Sequence, residues 1–185
     1  MTDIRDTIAA ERTELAEVLA GLPEEKWDAP SLCAGWRVRE VVAHMTAPFR
    51  QPDARFLRAE DVDEINRAAD ELARADAERL TSAELTAAVR DNARHPWAPG
   101  GLTGALCHDV IHGLDITVAL GLGRQVPPDR LRIVLGQLVP ERAWFFGTDL
   151  TGKRLVATDL DWSHGDGEEV TRPAQELLLF VCGRM

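Results

Sequence analysis

Residues 102–120, LTGALCHDVIHGLDITVAL, constrain this chain more than any other stretch. They are apolar on nearly every side, as in a helix buried at the centre of a bundle rather than laid on a surface. Gly121 and Gly123 stop the pattern. Yet this same stretch carries His108, Asp109, His112 and Asp115. Buried polar side chains need partners or they cost stability, and a metal ion would satisfy several of them at once.

The rest of the chain supplies helices for such a centre. Ile4, Ile8, Leu15, Val18, Leu19 and Leu22 form a helical stripe over residues 3–22, closed by Gly21 and Pro23. A loop with two prolines and two tryptophans follows, and a second helix is expected from Arg37 to near Pro48. Residues 53–80 read as one or two solvent-facing helices with sparse apolar positions, Phe56, Leu57, Ile65, Leu72 and Leu80. Thr81-Ser82-Ala83-Glu84 reads as a capping box opening another helix, capped by Thr81 or Ser82 and ending near Arg94. HPWAPGG is a loop. Pro127 and Pro128 start a further helix through Leu131, Val134, Leu138 and Trp144 to Phe146.

After Gly147 the pattern changes. KRLVATDLDW alternates as a strand, SHGDGEE reads as a turn, EEVTR as a returning strand, and Pro173 opens a short last helix. The expected organisation is a helical bundle over residues 1–147 and a strand-turn-strand-helix appendage, residues 148–185, packed on it.

His108 and His112 lie four apart, so on a helix their Cβ atoms stand roughly 5–6 Å apart on one face. The bland reading is a pair of stacked core histidines. A third histidine on another apolar helix, His44 in VREVVAHM, favours the alternative, because three imidazoles with an open position make a catalytic zinc set. His95 and His164 fall in loops and are expected to be solvated. Asp115, three beyond His112, is placed to accept the second ring N–H of that histidine or to serve as an ordinary surface charge. His108-Asp109-Val110-Ile111-His112 also has the spacing of a zinc-hydrolase helix, with Asp109 as a shortened general base. Cys107 is off the ligand face and reads as packing. Ser31 to Trp36 either line a pocket mouth or only bend the chain.

The formal net charge of −10 excludes nucleic-acid phosphate as a partner, since no basic stripe offsets the repulsion. No run approaches the ~18 apolar residues of a membrane span, and charges interrupt the start of the chain where a signal peptide needs an apolar core. A cytoplasmic location is expected. Cys33, Cys107 and Cys182 are odd in number and widely spaced, so they read as reduced thiols.

Three motifs in order, WDAPSLCAGWRVREVVAHM from Trp27, HDVIHGLDITVALG from His108 and ATDLDWSHGDGEEVTRPAQELLLFVCGR from Ala157, resemble the mycothiol-dependent maleylpyruvate isomerase family. That family lies within the DinB-like superfamily of metalloproteins. The resemblance implies a mainly α fold, a DinB-like four-helix bundle with a small C-terminal αβ appendage. It implies a divalent ion, zinc foremost with nickel as another choice, held by His44, His108 and His112. The position of His108 is often acidic in the isomerases, so imidazole there leaves the site one unit more positive. Mycothiol or a related small thiol is the implied cosubstrate, activated at the metal to attack an electrophilic substrate in isomerase or S-transferase chemistry. A metal-dependent hydrolase and a non-catalytic metal- or ligand-binding stress protein are the other readings. Arg154, Arg172 and Arg184 are either surface arginines or contacts for an anionic substrate, and a homodimer fits bundles of this type.

Overall fold

The computed structural model describes residues 3–53, 61–139 and 146–185. Helix α1 (Ile4–Ala20) starts at Asp3, whose carboxylate accepts the Arg5 N–H. A one-turn helix α2 (Glu24–Trp27) drives the Trp27 indole into the core. Helix α3 (Val38–Arg50) begins where the Glu40 carboxylate accepts the Arg37 backbone N–H at 2.7 Å. It ends two residues past Pro48, at Arg50. Arg50 reaches back to the Ala43 carbonyl at 3.0 Å and to Thr46 Oγ1, so the last turn is tied down by a side chain although Pro48 has no N–H to give.

Helix α4 (Val62–Arg79) is capped by Asp61, and α5 (Ser82–Asp91) by the Thr81–Glu84 box. The central apolar segment is α6 (Gly101–Thr117), and α7 (Pro128–Leu138) follows. The expected positions Phe56, Leu57 and Trp144 lie outside the described residues.

Four helices make the bundle. Each of α1 and α3 packs on both α5 and α6, closing a ring, while α4 lies outside against α3 and α7 against α6. Because α6 is apolar all round, it serves two cores. Leu106, Val110 and Leu114 join Ile8, Val134 and Leu135, and Ile116 joins Leu15, Leu19, Trp27, Val41 and Leu85. The fold is thus the expected mainly α bundle carrying a small C-terminal sheet.

That sheet differs from a simple returning hairpin. Strand β1 (Lys153–Ala157) pairs antiparallel with the short β2 (Ser163–His164) and parallel with β3 (Glu168–Arg172), in the order β2-β1-β3. The chain crosses from one edge of β1 to the other through Gly165 and Gly167, both at positive φ. A Cβ at either position would overlap a carbonyl oxygen, Lys153 for the first and Gly152 for the second. Only glycine passes there. Helix α8 (Ala174–Val181) then packs on α7, and its Leu177 and Leu178 share a core with Leu155 of β1. The chain's end is thereby carried back to the bundle.

Candidate metal centre

One turn of α6 separates His108 from His112, and their ring centroids stand 4.7 Å apart, edge to face. His44 arrives from α3 at 5.3 Å from His108 and 5.0 Å from His112. One ligand nitrogen from each of the three lies within 4.8 Å of the other two. Nε2 of His44 and Nε2 of His108 are 3.3 Å apart. Two imidazoles on a tetrahedral zinc at 2.0–2.1 Å would hold their nitrogens about 3.3 Å apart, so this pair already has the spacing of ligands.

Carboxylates behind the rings fix which nitrogen faces inward. His112 Nδ1 is 3.0 Å from Asp115 Oδ2, and His108 Nδ1 is 3.0 Å from Asp109 Oδ1. An ionised carboxylate only accepts, so both Nδ1 atoms carry the proton and both Nε2 lone pairs are left for a cation. Each carboxylate is in turn held by an arginine. Arg12 Nε donates to Asp109 at 2.6 Å, and Arg184 Nε to Asp115 at 2.8 Å. Burial pushes the Asp115 carboxyl up, but His112 and Arg184 outweigh it and hold it at about 2.

Burial pushes His44 well below the ordinary imidazole range, and the neighbouring His112 and His108 add to the effect. His108 is also pushed down by burial, against the pull of Asp109. Neutral imidazoles are the form that binds metal. The metal-free protein should therefore lose stability as pH falls. Above about 6.5 both states carry neutral histidine, whereas below it the unfolded chain takes up protons that the folded one refuses. The slope is about 1.4 kcal/mol per pH unit for each proton refused. Urea midpoints of metal-free protein should fall between pH 7.5 and 5.5. A flat profile across that range would contradict the lowered pKa of His44 and His108.

Aromatic rings line the histidines. Trp36 lies 5.2 Å from the His44 ring and Trp97 5.2 Å from His108. The Trp36 indole N–H is fixed by Asp70 of α4 at 2.6 Å. Cys33, on the loop before α3, donates its thiol to Asp115 Oδ2 at 2.9 Å, and burial followed by the Asp115 charge pushes that thiol up. Cys33, His112 and Asp115 also bring ligand atoms together, but Arg184 already supplies the cation there, 3.6 Å from the sulfur. A groove of about 570 Å³ between α1 and α5, lined by Asp6, Glu14, Arg90 and Arg94 among others, contains none of the three histidines.

Several residues differ from their sequence reading. Asp109 is 1% exposed and bonded to both Arg12 and His108, so it is not poised as a base for a metal-bound water. Arg184 is no surface arginine but a partner of Asp115, whereas Arg154 and Arg172 pair with Glu169 and Glu176 at the surface. His95 is half-buried against Phe49 at 4.9 Å, and His164 is exposed beside Trp162. Cys107 is buried against α7, its sulfur 4.0 Å from the Val134 carbonyl. Arg12 was missed altogether. Its signal was present, because Ile8, Glu11, Arg12, Leu15 and Leu19 follow one helical face, so both charges sit at core positions.

The sequence profile of the mycothiol maleylpyruvate isomerase N-terminal domain matches residues 8–116, which span all three histidines. Two crystal structures of the mycothiol-dependent maleylpyruvate isomerase, one of them a single-site mutant, are similar to the whole chain. The mutant has a TM-score of 0.52 at 15% identity, the other structure 0.51 at 16%, and each match covers 93% of that chain. At this identity the likeness is one of fold. No curated protein sequence matches the chain.

Proposed function

Because this chain belongs to the mycothiol maleylpyruvate isomerase N-terminal domain family, we propose that it is a metal-dependent enzyme using a small thiol of the mycothiol kind, in isomerase or S-transferase chemistry. His44, His108 and His112 would hold the divalent ion, zinc foremost. The observation that carries the reading is their convergence, with the two Nδ1–H groups tied back so that Nε2 faces inward. A divalent ion in such a site lowers the pKa of a thiol or water at its open position, making a nucleophile available near neutral pH.

The surrounding charges support an anionic thiolate as guest. Burial pushes His44 and His108 toward the neutral form, Asp109 is balanced by Arg12, and Asp115 is balanced by Arg184. No carboxylate among these residues is left over to dilute the positive charge of the centre, so an anion gains more there than at a carboxylate-ligated site. Trp36 and Trp97 set apolar rings directly beside His44 and His108. The hydrolase alternative is weakened by the commitment of Asp109 to its ion pair. The test is zinc-loaded protein with maleylpyruvate and a panel of other electrophiles, with and without mycothiol. Consumption of an electrophile only when thiol and metal are both present is expected. Turnover that ignores the thiol would overturn the proposal.

A further inference from the structure

Arg12 stands on α1, far in sequence from every histidine of the centre, and is 1% exposed. Its guanidinium touches each of the other three bundle helices or their ends. Nε donates to Asp109 of α6 at 2.6 Å. NH1 donates to the His95 carbonyl at 3.1 Å and reaches those of Asn92 and Ala93, just beyond α5. The guanidinium carbon lies 5.0 Å from the centre of the Phe49 ring on α3. A buried arginine gripped from three sides has one orientation, and it therefore gives the Asp109 carboxylate one orientation. Oδ2 of Asp109 is spent on Arg12, which leaves Oδ1 for His108 Nδ1.

We propose that Arg12 is a positioning residue for the metal centre: through Asp109 it holds the His108 ring with Nδ1 protonated and Nε2 turned to the cluster. The inference rests on the metal reading for its purpose, but its geometry belongs to the metal-free protein. It also gives the two ligands of α6 matched supports, since Asp115 and Arg184 do for His112 what Asp109 and Arg12 do for His108.

The consequence is chemical rather than merely structural. In Asp109→Asn the amide oxygen remains with Arg12, because guanidinium only donates, and the amide NH₂ must face His108. His108 Nδ1 then becomes an acceptor, the proton moves to Nε2, and the lone pair a metal needs is gone. Arg12→Lys keeps a cation beside Asp109, so the chain folds, yet an ammonium lacks the fork that fixes the carboxylate.

The experiment is long-range nitrogen–proton NMR of the imidazoles in metal-free protein, together with zinc affinity by chelator competition. Wild type, Asp109→Asn and Arg12→Lys are compared. Wild type should show His108 protonated at Nδ1. Asp109→Asn should show Nε2–H and bind zinc about 10–100-fold more weakly, with a mixed tautomer and a smaller loss in Arg12→Lys. An Nε2–H tautomer in wild type, or variants with unchanged tautomer and zinc affinity within about twofold of wild type, would overturn the inference. If wild type takes up no zinc, the metal reading fails by itself, and the tautomer in the metal-free proteins still decides for or against Arg12.

Discussion

Alanine at His112 is expected to weaken zinc binding by about two to three orders of magnitude and to take thiol-dependent turnover to background. The magnitude follows from the binding energy of protein zinc sites, roughly 10 kcal/mol or more, shared among three imidazoles at about 3 kcal/mol each. The fold should survive the change. The His112 side chain is only partly buried, at 16% exposure, and Asp115 keeps Arg184 and Cys33 as partners when the imidazole is gone. Melting of the metal-free variant should therefore stay close to that of metal-free wild type. His164→Ala is the control, since that ring stands exposed on β2 beside Trp162. Equal zinc affinity in the two variants would remove His112 from the centre.

The second large effect concerns stability and centres on Glu11, the neighbour of Arg12 on the buried face of α1. Glu11 is fully buried and receives Arg124 NH2 and Arg130 NH1, each at 2.7 Å, binding α1 to α7 and to the loop before it. Arg130 has a second carboxylate in Glu14 at 2.5 Å, but Arg124 is 3.9 Å from that group. Glu11→Ala would leave the buried Arg124 guanidinium with only the 3.9 Å contact to Glu14, a loss of about 3 kcal/mol against a total stability of about 5–15 kcal/mol. A fall in melting temperature on the order of 10 °C is expected. Glu11→Gln keeps an acceptor for one arginine and should lose less than half as much. A Glu11→Ala protein within about 1 kcal/mol of wild type by urea unfolding would show that the network contributes little.

What the sequence made legible follows from the range of the interactions involved. The all-round apolar character of α6 demanded a bundle, and the spacing of His108 and His112 put both on one face, because those are facts of a single helix. Asp115 was readable for the same reason, three residues past its partner. Arg12 and Arg184 reach their carboxylates across 97 and 69 positions of chain, and no local pattern connects such pairs. The alternative reading of Asp109 as a base is weakened by its ion pair with Arg12, a partner 97 positions away that no local pattern shows. Local signals placed element ends closely but not the side chains that hold them. Pro48 marks the end of α3 to within two residues, and Arg50 holds the short turn beyond it. In the tail the glycines marked a turn correctly, yet their spacing does not say that the chain passes the start of β1 to a parallel partner on its other edge.

The proposed function stands on three imidazoles of α3 and α6 holding one divalent ion. Elemental analysis of protein purified without an affinity tag tests it most directly, beside the His44→Ala, His108→Ala, His112→Ala triple variant. One metal per chain is expected in the natural protein, or one zinc taken up on incubation, and none in the variant. No stoichiometric metal in either protein after incubation with zinc would reduce the cluster to core packing and remove the basis of the enzymatic proposal.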